Sequence, residues 1–184
     1  MEAEAISTMR RSLALLLLSV VGLGAAACDE ESRVVHMRVD HYQEPCWGGD
    51  PDFCLRIIDS SDPDVDSADE IVGFEHEWGT VSDLVVLVTE SPDGDVEYDL
   101  LEVEGEMAVN EDVRFDMQLG PEFVERVDAY GFELVSDKPV VCETAKVCEA
   151  VSQAMFEGFD FEVELGYPRN RGGSFVAYGV EVLE

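Results

Sequence analysis

The stretch "FDFEVEL" at residues 159–165 places Phe159, Phe161, Val163 and Leu165 on one side of an extended chain and Asp160, Glu162 and Glu164 on the other. Side chains alternate faces along a strand, so a period of two is a strand signal and excludes an amphipathic helix there. "VRFDMQL" repeats it, with Val113, Phe115, Met117 and Leu119 against Arg114, Asp116 and Gln118. "VAYGVEV" gathers Val176, Tyr178, Val180 and Val182. Strands of this kind bury one face and wet the other, as antiparallel sheets do. "VVHMRVDHY" and "FCLRII" alternate less strictly, and "LVVLV" at 84–88 reads as buried on both faces. In "VEYDLLEVE" the phase flips: Val96, Tyr98 and Leu100 share a side, Leu101 and Val103 take the other, and a bulge between them would restore one face.

Helical spacing is confined to two places. In "TAKVCEAVSQAMFEG", Val147, Val151 and Met155 recur at helical spacing and Gly158 can end the turn, which predicts a helix over about 143–157. A shorter helix is expected after Pro121, with Phe123, Val127 and Tyr130 on one side and Gly131 closing it. Residues 59–70 ("DSSDPDVDSADE") and 90–97 ("ESPDGDVE") read as loops, and "GEMAVNED" divides two β halves, 28–110 and 111–184. The expected fold class is mainly β (α+β): an antiparallel sheet, small barrel or sandwich with one helix in the C-terminal half.

The N-terminus has a different grammar. From Met9 the chain reads MRRSLALLLLSVVGLGAAAC: two arginines, an apolar core, then small residues leading into Cys28. That order is a secretory signal peptide over residues 1–27, too short for a comfortable membrane span. Glu2 and Glu4 are out of place in a basic leader, which points to Met9 as the start. Ala25-Ala26-Ala27-Cys28 resembles the lipobox of bacterial lipoproteins, in which the cysteine sulfur is acylated. Export with a palmitate-type lipid on Cys28, to the cell or outer membrane and facing periplasm or exterior, is the expectation.

Acylation of Cys28 leaves four of the five cysteines, and an even number in an oxidising compartment reads as disulfides. Their clustering favours Cys46–Cys54 and Cys142–Cys148. Inside one helix, Cys142 and Cys148 would be rotated by about 240° and separated by about 9 Å, beyond disulfide reach. Cys142 is therefore expected at the end of a strand, "KPVVC", with Cys148 on the first turns of the helix.

The formal charge of −31 survives removal of the leader, which takes two acids and two bases with it. So negative a surface repels nucleic acid and anionic headgroups, leaving the lipid anchor as the route to a membrane and an envelope ligand or protein as partner. No G-x-S-x-G or H-E-x-x-H is present, "HEWGT" at His76 lacks the second histidine, and His36 and His41 face opposite ways on a strand. No catalytic residue is assigned, and the expectation is a binding or structural module rather than an enzyme. Asp62, Asp64 and Asp66 alternate in the acidic loop and could converge on calcium if the backbone curled, although Ser67 and Gly73 stand where an EF-hand needs glycine and glutamate. A calcium-dependent adhesion module and a hydrolase without a recognisable motif are the alternatives.

Residues 46–104 resemble a bacterial lipoprotein family known as domain of unknown function 4377. The features are Cys46 followed closely by Cys54-Leu55-Arg56-Ile57, then Ile71-Val72-Gly73-Phe74-Glu75 and Gly79, an apolar strand at 84–88, and Glu97-Tyr98-Asp99-Leu100-Leu101-Glu102-Val103. "TESPDGD" stands where the family carries a proline- and alanine-containing segment. The resemblance implies a small exported β protein and supplies no catalytic residue.

Overall fold

The computed structural model describes residues 31–47, 49–135, 137–167 and 173–183. Among the described residues the protein is mostly β, with a single α-helix in the C-terminal half. Five strands form the N-terminal sheet: β1 (Glu31–Pro45), β2 (Phe53–Ser60), β3 (Ser67–Ala68), β4 (Thr80–Glu90) and β5 (Val96–Ala108), in the order β3-β2-β1-β4-β5. Every pairing in it is antiparallel.

This sheet cannot be flat. Ala68 of β3 pairs with β2 at one edge, while Val72 bridges to Asp99 of β5 at the other. A flat arrangement would put those two positions five strand spacings, about 24 Å, apart, whereas four residues reach about 14 Å. The sheet therefore curls into a half-barrel, with the 68–72 segment running between its two edges. Inside it lie Val35, Met37 and Val39 of β1, Leu55 and Ile57 of β2, and Leu84, Val86 and Val88 of β4, closed over by Val65, Ala68 and Ile71 from the 61–72 segment. The acidic loop is thus a lid with its apolar residues turned inward.

The second sheet comprises β6 (Arg114–Leu119), β7 (Val124–Val127), β8 (Gly131–Leu134), β9 (Lys138–Cys142), β10 (Phe161–Gly166) and β11 (Phe175–Val182), in the order β6-β10-β11-β9-β8-β7. All its pairs are antiparallel except β9 with β11, which run parallel. β9 and β10 lie on either side of β11 and run antiparallel to each other; α1 (Ala145–Glu157) joins them at one end of the sheet, and β10 carries the chain back so that β11 runs parallel to β9. The helix buries Val147, Cys148, Val151 and Ala154 and ends at Gly158, which takes the left-handed conformation (φ 75°) expected of a C-terminal cap.

Both disulfides form as the spacing predicts. Cys46–Cys54 closes the β1–β2 hairpin and Cys142–Cys148 ties the end of β9 to the first turns of α1, with Cα separations of 5.2 and 5.8 Å. The bulge in β5 also forms: Val86 pairs with Leu100 and Val85 with Glu102, so Leu101 is extruded. Val103 then shares the face of Leu100, yet stays 41% exposed.

Four sequence expectations are corrected. Phe159, grouped with the buried face of "FDFEVEL", lies before β10 and is 42% exposed. The segment after Pro121 is a single 3-10 turn, Pro121–Phe123, followed by strands β7 and β8 rather than a helix. Gly131 serves strand packing there: a Cβ would lie 2.2 Å from the Val140 carbonyl oxygen. "LVVLV" is buried on one face only, since Val85 and Leu87 are half-buried beside fully enclosed Leu84, Val86 and Val88. The phase of "VAYGVEV" is also different. Leu165 pairs with Ala177 and Glu164 with Gly179, so Tyr178 is bulged, and Phe175 and Ala177 turn to the core in place of Val176 and Tyr178.

Candidate functional site

The site grows from an irregularity in β1. Its pairing with β2 jumps from Val39↔Ile57 to Gln43↔Leu55, and past that point its side chains leave the barrel interior. Val39 belongs to the barrel core, whereas Tyr42 belongs to the core of the six-stranded sheet, with Phe53 of β2. Asp40 and His41 sit at the hand-over between the two sheets.

His41 is locked across that junction. Its Nδ1 lies 2.7 Å from the Tyr167 hydroxyl, which lies 2.6 Å from the His41 carbonyl oxygen. The hydroxyl has one proton; donated to the carbonyl, it leaves the oxygen to accept from Nδ1–H. The same carbonyl accepts from the Gly79 amide at 2.7 Å. Buried Asp40 accepts from the His41 amide at 2.7 Å, and its other oxygen lies 3.7 Å from Arg56 Nε. Arg56 also donates to the Tyr42 hydroxyl and lies over the Tyr42 ring. Burial pushes the His41 imidazole below its ordinary value, against the pull of Asp40 and with the push of Arg56. Burial likewise raises the Tyr167 hydroxyl far above its usual range.

His76 completes the polar group. Its Nε2 lies 2.9 Å from the Asp40 carbonyl oxygen, which can only accept, so Nε2 carries the proton. Burial holds His76 below its ordinary value as well. In the neutral ring Nδ1 is then a bare acceptor; it is buried without a partner among the described residues, as is the indole N–H of Trp78. Both residues line a cavity of about 440 Å³ where the two sheets meet, within the range of small-molecule sites. Tyr167 and Phe175 complete its aromatic wall, and Glu111, Asp137 and Lys138 stand around it.

The residues singled out in the sequence lie elsewhere. Cys28 and residues 1–27 fall outside the described residues. Asp62 is bound to Arg33 at 2.6 Å, and that hydrogen bond holds its carboxyl below the ordinary range. Its second oxygen accepts from the Asp64 amide at 3.1 Å, Val65 beside it is buried, and the Asp66 backbone carbonyl accepts from Ile57. The three carboxylates are not gathered: among the described residues the one close group of ligand-type atoms is Cys46, Cys54 and Asp69, and its two sulfurs are joined to each other. His36 and His41 do diverge, His36 facing Glu104 at the surface. Ligand spacing does not mark His41, His76 and Tyr167 as a group; the sequence feature that does is an aromatic residue beside each histidine, Tyr42 and Trp78.

The chain matches no family model, no curated protein and no solved structure. No helix among the described residues is long and apolar enough to cross a membrane, and the two disulfides are consistent with an exported protein.

Proposed function

We propose that this chain is an envelope lipoprotein, acylated on Cys28 after removal of residues 1–27, whose folded part is a non-catalytic binding module. The observation that carries the reading is the aromatic-walled cavity at the junction of the two sheets. The two histidines and Tyr167 beside it support binding over catalysis, because their polar atoms are engaged within the fold, His76 Nδ1 alone excepted. His41 and Tyr167 are satisfied by each other, and His76 Nε2 by the Asp40 carbonyl. Only Asp29 and Glu30 lie between the acylated cysteine and the start of β1, so the anchor would hold the domain against the membrane without a long tether.

Two measurements test this. Wild-type protein should partition into detergent and carry a lipid mass on an N-terminal cysteine, while Cys28→Ser should remain unprocessed or soluble; wild-type protein with a free Cys28 thiol would sink the anchor. In a fragment screen read on the two indole N–H signals, binders should converge on Trp78. Binders scattered over the surface, leaving Trp78 unmoved, would remove the module reading.

A further inference from the structure

The junction cavity has a definite electrostatic character. The Trp78 and Phe175 ring centroids are 5.0 Å apart with planes at 54°, and those of Tyr167 and Phe175 are 5.8 Å apart at 64°. Rings tilted this way do not stack into a flat slab, and Trp78, Tyr167 and Phe175 all line the cavity. Resting on the reading that this cavity binds a ligand, we propose that its ligand is a free small organic ammonium ion, held against the aromatic wall and steered by the carboxylates of Glu111 and Asp137.

Aromatic faces carry the negative end of the ring quadrupole and attract cations, most strongly for tryptophan and where water is displaced. The polar groups of the wall add no opposing charge: His76 and Tyr167 are both neutral at pH 7, each because burial disfavours its charged form. Among the described residues the sign is then set by the exposed carboxylates of Glu77, Glu111 and Asp137, which outnumber Lys138 in the lining. The formal charge of −31 raises the local concentration of cations and lowers that of anions. A bare metal ion fits poorly, since among the described residues no cluster of ligand atoms forms at this rim. An organic cation needs no such convergence; it needs a soft wall and a negative field.

The test uses the folded mature protein, labelled so that both indole N–H signals are visible. The probe is choline, compared with its neutral isostere in which carbon replaces the quaternary nitrogen. Choline should move the Trp78 signal and leave Trp47, which is 58% exposed, in place. The neutral isostere should bind about tenfold more weakly. The double variant Glu111→Gln, Asp137→Asn changes only exposed residues, so it should fold normally, bind choline several-fold more weakly and bind the isostere unchanged. Equal binding of choline and the isostere overturns the proposal while leaving the binding module standing. Failure of both probes to move Trp78 overturns the proposal and the cavity reading together.

Discussion

The core inside the N-terminal barrel is aliphatic: its fully buried members are valines, leucines, isoleucines, a methionine and an alanine, with Phe74 and Tyr98 only at its margin. The core beneath the six-stranded sheet is built around rings, with Tyr42, Phe53, Phe115, Phe123, Phe132, Phe161 and Phe175 all buried. The difference follows from what each core must do. One curled sheet and its own lid enclose a narrow space that branched aliphatic side chains fill. The second core must reach from a sheet and a helix to the underside of a barrel, and aromatic side chains cover that span while tolerating polar edges. The buried aspartate and the two burial-shifted histidines accordingly sit where rings meet, at residues 40, 41 and 76. The barrel interior holds none of them.

The largest expected effect breaks the comparison outright. Phe161 is 0% exposed, so Phe161→Asp places a charge among rings and should unfold the protein. Tyr42 and Phe53 come from barrel strands yet belong to the aromatic core, so the barrel should be lost in the same transition. Loss of near-ultraviolet dichroism with the barrel's strand signal intact would show instead that the cores fold as separate units.

A smaller effect sharpens it by pH. In the unfolded chain His41 and His76 titrate near the ordinary value of about 6.5, whereas in the fold burial depresses both. Below about pH 6.5 the unfolded state therefore takes up protons that the folded state does not. Stability should be flat above that point and fall as pH drops toward the folded values. Around His41 the opposing groups are Asp40, which favours its charged form, and Arg56, which disfavours it; around His76 they are Asp40 against His41 and Lys138. Tyr167→Phe should cost about 1–3 kcal/mol by orphaning His41 Nδ1, and thermal melts at pH 7.5 should read it. A wild-type melting temperature unchanged down to pH 5 would refute the burial argument.

The aliphatic half was the more legible in outline and the aromatic half in detail, for reasons visible residue by residue. Period-two runs such as "RFDMQL" and "FEVEL" declared their buried face because each pairs in unbroken register with its neighbour across β6 and β10. "VAYGVEV" misled because one extruded residue, Tyr178, reverses the phase; on the outer face its ring now carries the Arg114 guanidinium at 3.7 Å. Residues after Pro121 mimic a helix because apolar spacing in so short a segment cannot separate a helix from a hairpin. Disulfide pairing was legible because the helix geometry left one arrangement for Cys142 and Cys148. The site was not, since residues 40–42, 76–79, 167 and 175 meet only after both sheets have formed.

The smallest expected effect concerns the solvent face of the aromatic half. Glu162 is exposed and stands directly opposite Glu181 on β11, with Gln118 of β6 on its other side. Like charges at directly opposed positions are destabilising, and opposite charges there contribute roughly 0.2–1 kcal/mol. Glu162→Lys converts the first case into the second without touching the core, so it should raise stability by a few tenths of a kcal/mol. The gain should shrink with added salt, because exposed charges are screened over about 8–10 Å at moderate ionic strength. Denaturant midpoints of wild type and variant at low and high salt decide it. A loss of more than about 1 kcal/mol would mean that Glu162 is not the solvated surface residue its place on the outer face implies.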